Sequence, residues 1–258
     1  MRIYHDTESR QINVLDERFY QFEKGLYFPS VTTVLGVYPK GYGFNQWLKQ
    51  VGFNADHILR EAGEVGSKIH NSIEDHLNGE TLHWINEDGS GNFTFHEWQM
   101  LMRYNEFKTL FKPEILGVEV ELVSALYEVG GTLDLPCMIN GERWIIDHKT
   151  SNAIHTTAEL QLCTYAKMWN EEYPDQKIDR VGALWLKALT RGPDKSGKKI
   201  QGEGWQVVEW KRKDKTGKMV GGKEAIELGF KLYQHTRAIW DEENPNYKPK
   251  NLIYPDHI

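Results

Sequence analysis

The chain has 258 residues, of which 40% are hydrophobic and 26% charged, and its formal net charge is -6. No run of about 18 apolar residues is present, which argues against a membrane span, and the start MRIYHDTESRQ lacks the apolar segment of a secretory signal. Two cysteines, Cys137 and Cys163, are too few for a disulfide framework or a four-cysteine iron–sulfur cluster. We therefore expect a cytoplasmic globular protein in which both cysteines are small core residues.

The N-terminal third predicts strands and loops followed by two helices. Residues 1–60 read as short, aromatic-rich strands and loops, with Ser30 a candidate N-cap before Val31. A helix is predicted over 61–78 and a second over 95–110. The first of these carries a buried stripe that recurs every four residues: Val65, Ile69, Ile73 and Leu77.

The middle of the chain predicts three antiparallel strands and a helix. The strands are expected over 117–124, 129–139 and 142–149, and Asn140-Gly141 is a strong signal for a tight hairpin turn between the last two. The sequence TTAELQLCTYAKMWNEEY, residues 156–173, then predicts a helix.

The C-terminal part predicts two paired strands and a closing helix. A nearly all-apolar strand over 180–189 is expected to pair with 204–213 across a basic, glycine-rich loop. A helix over 221–240 follows, and the tail from Asp241 reads as irregular. The order of elements predicts an α/β fold with a mixed central sheet flanked by helices.

Basic charge is concentrated in one segment. Between Lys187 and Lys223 there are eleven Lys or Arg and four Asp or Glu, a balance of +7, while the rest of the chain carries -13. Two interpretations stay open: the segment is the solvated tip of a hairpin, or it binds phosphate groups.

A carboxylate and an ammonium end the strand 142–149. Residues two apart on a strand point to the same face, so Asp147 and Lys149 in WIIDHKTS should project side by side. An isolated D-x-K is usually an incidental ion pair at the surface, and the surrounding residues decide between that and a functional site.

More carboxylates converge on Asp147. The hairpin brings it towards Asp134, and either Glu119 or Glu121, which are expected on one strand face, adds a third acid. Such a cluster repels unless a cation offsets the charge, and oxygen ligands favour Mg²⁺ or Mn²⁺. A nitrogen from His70, on the helix 61–78, shifts the preference towards Mn²⁺. The lysine is then explained as a group that holds a water or stabilises charge on a phosphate.

Taken together and in this order, GSKIH, GGTLD, IIDHKTS and QLCTY resemble the PD-(D/E)XK nuclease superfamily. The helix with GSKIH and the Q-x-x-x-Y pattern resemble its RecB-like branch, which includes phage exonucleases and the mitochondrial genome maintenance exonuclease. The resemblance covers about residues 60–190, and it implies a restriction-endonuclease-like core. Leu133 stands where the superfamily's name has proline.

The resemblance implies a role for each matching residue. Asp134 and Asp147 bind the metal, Glu119 is the first acid of the site, and Lys149 positions the attacking water. His70 is a further ligand. The backbone carbonyl of His148 could reach the metal, and its side chain should face away from Asp147. Two residues on the following helix, Gln161 and Tyr165, brace the site and contact the DNA.

The resemblance implies a metal-dependent deoxyribonuclease, an exonuclease that hydrolyses linear or single-stranded DNA by in-line attack of a metal-activated water. Phage or host recombination, replication or repair proteins are the expected protein partners. The alternatives are a catalytically silent DNA- or protein-binding module and a structure-specific endonuclease. The first is disfavoured because every charged position of the site is filled, and an acid cluster without metal is costly.

The predicted organisation is one nuclease domain over residues 1–258: an N-terminal extension (1–60), a catalytic core (61–190) and a basic hairpin, closing helix and tail (191–258). Trp205 and Trp210, interleaved with lysines, are candidate surfaces for base stacking, and the alternative for Trp205 is a place in the core. Candidate phosphate-binding lysines lie in or beside the basic hairpin: Lys187, Lys198, Lys199, Lys211 and Lys213.

Overall fold

A computed structural model describes residues 9–14, 17–188, 191–193, 199–201 and 204–247. The described residues form six helices: α1 (Val31–Val34), α2 (Tyr42–Val51), α3 (Ala55–Leu77), α4 (Phe95–Phe111), α5 (Thr156–Glu172) and α6 (Gly222–Glu243). Short 3-10 turns, Leu35–Val37 and Gly52–Asn54, precede α2 and α3. Within the described ranges, no helix combines the length and apolar character needed to cross a membrane.

The strands fall into one central sheet and smaller pairs. The N-terminal strands are β1 (Gln11–Val14), β2 (Glu17–Glu23) and β3 (Leu26–Pro29). The middle strands are β4 (Glu114–Ile115), β5 (Val120–Ser124), β6 (Val129–Leu133), β7 (Leu135–Ile139), β8 (Glu142–Lys149) and β9 (Arg180–Trp185). The last strands are β10 (Arg191–Pro193), β11 (Lys199–Gln201), β12 (Gln206–Glu209), β13 (Arg212–Lys213) and β14 (Met219–Val220).

The central sheet has the order β12-β9-β8-β7-β4 and is mixed. Strands β8 and β9 run parallel, because α5 crosses between them, while the other neighbours are antiparallel. Helices cover both faces, which confirms the predicted α/β fold with a mixed sheet flanked by helices. The antiparallel pairing of β9 with β12 confirms the predicted pairing across the basic loop.

Strand β8 separates two cores. Ile145 packs with α5 and α6, and its neighbour Ile146 packs with α3 and α4, because successive strand residues point to opposite faces. Both isoleucines are fully buried, as expected for a strand covered on both sides. Asp147 and His148 stay buried, and the strand becomes partly exposed only at its last residue, Lys149, where the candidate site lies.

Local signals in the sequence act as predicted. The Ser30 hydroxyl accepts a hydrogen bond from the Thr33 backbone N–H at 2.9 Å and caps α1. Asn140 and Gly141 both have positive φ, 52° and 80°, as a two-residue hairpin turn requires. Cys137 and Cys163 are buried free thiols in the two cores, as predicted.

Several elements differ from the predicted ones in their bounds. The strand expected over 129–139 is two strands, because the chain bends at Asp134: β6 pairs with β5, and β7 joins the central sheet. Residues 1–60 hold α2 and the start of α3 as well as strands, and α3 begins at Ala55 rather than at 61. The four-residue stripe beginning at Val65 marked only the half of α3 that packs against the core. Helix α6 continues to Glu243, past the predicted end at 240.

The basic segment is described in part. Lys198 lies outside the described residues, and for Lys199 only the backbone of β11 is described. Arg212 makes a two-contact ion pair with Glu159 of α5, at 2.6 and 2.9 Å, which ties β13 to the core. Trp205 is buried between α4 and the sheet and donates to Glu106 at 2.9 Å, so its predicted role in base stacking is wrong. Trp210 is half-buried against the other core.

Candidate active site

Asp134 lies opposite Asp147 at the end of the β7–β8 hairpin. The antiparallel register pairs Leu135 with Ile146, so the residues just beyond, Asp134 and Asp147, face each other across the strands. The Asp134 Oδ2 atom accepts a hydrogen bond from the His148 backbone N–H at 2.8 Å. Asp134 occupies the bend between β6 and β7, and this bend turns its carboxylate towards β8.

Asp147 and Lys149 lie side by side, as the two-residue strand period predicts. The Lys149 Nζ atom is 2.7 Å from the Asp147 Oδ2 atom. Asp147 is 2% exposed, whereas the lysine side chain is 25% exposed, so the pair points from the core towards an open surface. Despite the short distance, the Asp147 Oδ2 atom is buried and has no hydrogen bond of acceptable angle. Asp147 is therefore not part of an incidental ion pair at the surface, which is the usual explanation of an isolated D-x-K.

The pKa values of both Asp147 and Lys149 are raised in the cluster. Burial raises the pKa of Asp147, and the Asp134 carboxylate raises it further against the attraction of Lys149. Burial lowers the pKa of Lys149, but Asp147 and Asp134 more than offset this, and the net shift is upward. The lysine is therefore an ammonium at neutral pH, a donor of hydrogen bonds rather than an acceptor of protons.

His70 and His148 complete one side of the cluster. The His70 Nε2 atom lies 2.8 Å from the His148 carbonyl oxygen, and its Nδ1 atom lies 3.2 Å from the Asp134 Oδ2 atom. A carbonyl only accepts, so Nε2 carries the proton. In a neutral ring, Nδ1 then presents a lone pair to a carboxylate oxygen. That contact is favourable only if a proton or a cation lies between the two lone pairs.

The His148 side chain faces away from Asp147, in agreement with prediction. Its ring packs edge-on against Tyr104 and His70, with centroids 5.5 and 5.7 Å apart, on the α3–α4 side of the sheet. Burial and the neighbouring His70 lower the pKa of His148 to about 3, so the ring is neutral. The His148 carbonyl, predicted to reach a metal, is hydrogen-bonded to His70 in this structure.

Glu119 and Glu121 do not share a strand face, contrary to prediction. Glu119 precedes β5 and has a positive φ of 47°, which breaks the alternation of side chains. Its backbone N–H donates to the Asp134 carbonyl at 3.1 Å. Glu121 instead accepts hydrogen bonds from the Ser9 hydroxyl and from the Arg10 backbone N–H, the latter at 2.9 Å. Only Glu119 therefore belongs to the cluster.

Burial and the nearby Asp134 carboxylate raise the pKa of Glu119 to about 7. Glu74 of α3, one turn beyond His70, adds to this negative potential. Glu74 was not among the predicted site residues, although its four-residue spacing from His70 places it on the same helix face.

Glu119→Gln is expected to stabilise the metal-free protein at pH 7. Because folding raises the pKa of Glu119, the wild-type protein loses stability as the pH rises from about 4.5 to about 7 and stays level above that range. Glutamine does not ionise, so the variant should lack that slope and gain roughly 1–3 kcal/mol at pH 7. Urea unfolding in a chelator at pH 5 and pH 7 measures the difference.

Glu121→Gln is the matched control for this measurement. Its carboxylate is hydrogen-bonded to the N-terminal segment, so its replacement should not remove the pH dependence. If Glu121→Gln flattens the slope and Glu119→Gln does not, Glu121 is the acid of the cluster.

Gln161 and Tyr165 lie on one face of α5 and bind each other. The Gln161 amide donates to the Tyr165 hydroxyl at 3.1 Å. Burial raises the pKa of Tyr165 well above its ordinary value, and the charges of Asp147 and Asp134 act in the same direction. The phenol is thus neutral, and it lies within the electrostatic reach of the acid cluster.

Gly131 makes room for the Tyr165 ring. A Cβ atom on Gly131 would lie 2.2 Å from the Tyr165 Cε1 atom and 2.9 Å from its hydroxyl oxygen, distances that no real contact allows. Its neighbour Gly130 makes the same allowance for Tyr20, with 2.2 Å to Cγ. The GG of GGTLD therefore places two aromatic rings against β6.

Gly131→Ala is expected to displace Tyr165 and to destabilise the protein by about 1–3 kcal/mol through overpacking. The displaced phenol should lose its hydrogen bond to Gln161. Thermal unfolding checks the stability, with Gly63→Ala in α3 as the control, because nothing lies within 4 Å of a Cβ there. An unchanged melting temperature for Gly131→Ala would contradict the packing described for Tyr165.

The residues fit a divalent cation by their donor chemistry. One ligand atom from each of His70, Asp134 and His148 lies within 4.8 Å of the others. The Asp147 Oδ2 atom has an unused acceptor position, and the His70 Nδ1 atom faces a carboxylate. Carboxylate oxygens with imidazole nitrogen suit Mn²⁺ or Mg²⁺. The predicted metal ligands also include Glu119 and Asp147. For His148 the prediction used the backbone carbonyl, whereas the atom in this trio is a ring nitrogen, and Nδ1 lies 3.5 Å from the Asp134 Oδ2 atom.

Three of the predicted phosphate-binding lysines, Lys187, Lys211 and Lys213, have described side chains. Lys187 lines a cavity next to the end of β8, whereas Lys211 and Lys213 are exposed around β13. Of these lysines, Lys187 is the one joined most directly to the cluster, because the N–H of the preceding Leu186 donates to the Lys149 carbonyl at 2.9 Å.

Comparison with known proteins gives structural similarity to solved structures but no match in sequence. No protein-family profile matches the chain, and no curated protein matches it in sequence. The crystal structure of a candidate exonuclease from Eubacterium rectale superposes with a TM-score of 0.41 at 10% identity. That superposition covers 76% of this chain and 72% of the other.

Proposed function

We propose that the protein is a metal-dependent deoxyribonuclease of the PD-(D/E)XK type. The observation that carries the proposal is the buried Asp147 paired with the partly exposed Lys149, at 2.7 Å, opposite a second carboxylate on Asp134. A buried acid pair is costly, and a cation bound between the carboxylates would offset that cost, which supports the proposal. An ammonium beside it on the open side suits a negatively charged substrate.

Asp134, Asp147, Glu119 and His70 are the residues that would hold Mg²⁺ or Mn²⁺. The cation, when bound, supplies charge neutralisation at the phosphate and lowers the pKa of water. The His148 carbonyl would be a further ligand, because its oxygen has a second lone pair besides the one that accepts the hydrogen bond from His70.

Lys149 is the residue that acts on the substrate. Its ammonium donates hydrogen bonds to the attacking water and to the phosphate oxygen on which charge develops. Asp147 fixes the position of the ammonium. In the reaction, the water oxygen forms a bond to phosphorus and the opposite P–O ester bond breaks. The water releases one proton to the solvent and the leaving oxygen takes up one from the solvent, so that a phosphate monoester and a hydroxyl are released. Tyr165, held by Gln161, orients groups at the edge of the site.

DNA, and within DNA an open end or a single strand, is the proposed substrate. The test incubates the protein with end-labelled linear DNA and with a covalently closed circle, each in Mg²⁺ or Mn²⁺. An exonuclease degrades the linear DNA and leaves the circle intact. Cleavage of both molecules supports the alternative of an endonuclease, and cleavage of neither, with retained binding, supports a catalytically silent binding module.

A further inference from the structure

Helix α2 carries an apolar face that the protein core does not cover. It contains Phe44, Trp47, Leu48 and Val51 at helical spacing, yet none of its residues is buried. The turn that follows exposes Phe53 completely, and the first half of α3 exposes Ile58 and Leu59. The four α2 side chains are thus half-buried beside fully or partly exposed ones, and apolar side chains left uncovered in this way mark a candidate binding surface.

This face forms one wall of a cavity of about 530 Å³. Phe44 and Trp47 from α2 face Ile58 and Leu59 from α3 across it, and the loop 150–153 forms its floor. The two α2 rings lie 5.7 Å apart at a tilt of 36° and present aromatic surface to the cavity.

The cavity is continuous with the candidate active site. Its floor begins at Thr150, the residue after Lys149, and the Trp185 indole fixes the loop by donating to the Ser151 carbonyl at 2.8 Å. Lys187 and Asn152 also line a second cavity of about 600 Å³ between α3 and α4. The two cavities therefore form one groove that passes the end of β8.

The aromatic cavity also has the positive charge expected of a site that binds a polyanion. Among the described residues that line it, Lys187 and His155 are the ionisable ones, and no carboxylate is present. Lys40 lies 5.7 Å from the centre of the Phe44 ring, at the outer end of the same wall. Aromatic rings for bases and a lysine for phosphate are the two elements of a single-strand binding groove.

We propose that this groove binds single-stranded DNA, with unstacked bases against Phe44 and Trp47 and a phosphate at Lys187. The proposal rests on the proposed nuclease function and specifies its substrate as a single strand or a frayed end. A base in a duplex is stacked on both sides by its neighbours, so only an unpaired base can offer a face to these rings. The strand then leads past Thr150 to Lys149.

The test is binding of a fluorescein-labelled oligo-dT and of a blunt duplex to the metal-free protein in a chelator, by anisotropy, where no cleavage occurs. Trp47→Ala and Phe44→Ala should each lower the affinity for the single strand about tenfold and change duplex affinity less than twofold. Trp47→Phe keeps an aromatic face and should retain most of the affinity. Phe53→Ala, exposed and outside the cavity lining, is the control and should bind as wild type.

Three results would overturn the proposal. Unchanged single-strand affinity in both alanine variants removes the stacking role. An equal loss for single strand and duplex shows that the rings do not distinguish unpaired bases. A wild-type protein that is dimeric by light scattering, and that becomes monomeric in Trp47→Ala with DNA binding unchanged, assigns this face to a second copy of the chain.

The failure of this proposal differs from the failure of the nuclease function. Cleavage of linear DNA by the wild-type protein is measured separately, in Mn²⁺. If the protein cleaves and Trp47→Ala binds normally, only the groove assignment is wrong. If single-strand binding depends on Trp47 but nothing is cleaved, the groove assignment stands and the nuclease function is wrong.

Discussion

Lys149→Ala is expected to slow the chemical step by about two to four orders of magnitude, roughly 3–5 kcal/mol of transition-state stabilisation. The lysine is 25% exposed at the open side of a buried acid cluster, and its pKa is raised, so it carries a full charge where charge develops on the phosphate. DNA binding should remain nearly intact, because one ammonium is a small part of the contact with the phosphate backbone. Single-turnover cleavage and anisotropy, measured on the same preparation, separate the two effects.

The matched control is Lys177→Ala, which removes an exposed lysine outside the cluster. It should cleave at the wild-type rate. A Lys149→Ala protein that is folded and cleaves at a near wild-type rate would reduce D-x-K to a structural ion pair. A Lys149→Ala protein that loses binding and cleavage in parallel would show that the lysine only holds DNA.

Asp147→Asn is expected to weaken Mn²⁺ binding at least tenfold and to abolish cleavage, because it removes an anionic ligand with an unused acceptor position. The same change should slightly stabilise the metal-free protein at neutral pH. Burial raises the pKa of Asp147, so its ionisation costs stability in the folded state. The gain should disappear as the pH falls below about 4, where the wild-type carboxyl is protonated in the folded and the unfolded protein.

Calorimetric titration of Mn²⁺ measures the first effect of Asp147→Asn, and urea unfolding in a chelator measures the second. Asp175→Asn, which removes an exposed carboxylate, is the control and should change neither. Undiminished Mn²⁺ affinity in Asp147→Asn would place the metal elsewhere. A metal-free variant that is less stable than wild type at pH 7 would mean that the attraction to Lys149 outweighs the cost of burial.

The parts of the site that follow from strand periodicity were predicted correctly. The two-residue period places Asp147 beside Lys149 and turns His148 to the other face, and the tight turn at Asn140-Gly141 fixes the register that brings Asp134 opposite Asp147. These side-chain positions depend on short stretches of regular backbone, so they can be predicted from the amino-acid sequence.

The parts that depend on backbone irregularity or on packing were missed. The bend at Asp134 and the positive φ of Glu119 have no clear signature in the sequence, and they decide which acid joins the cluster. The half-buried apolar face of α2 was not predicted. For Trp205 the sequence left a stacking surface and the core both open, and packing against α4 decides for the core.

The assignment of the basic segment depended on charge alone. Arg212 forms an ion pair with Glu159, and Lys223 forms one with Asp179 at 2.7 Å. An excess of basic residues in a segment therefore does not by itself predict a phosphate-binding surface. Lys187 differs because it lines the groove beside the acid cluster.

Single-turnover cleavage of end-labelled linear single-stranded DNA, in Mn²⁺ and in excess chelator, tests the central claim most directly. The acid cluster predicts cleavage in Mn²⁺, none in chelator and full recovery when Mn²⁺ is restored, with Asp147→Asn inactive under all three conditions. Full cleavage in excess chelator, or cleavage by Asp147→Asn at the wild-type rate, would contradict the claim that Asp134, Asp147 and Lys149 form a metal-dependent nuclease site.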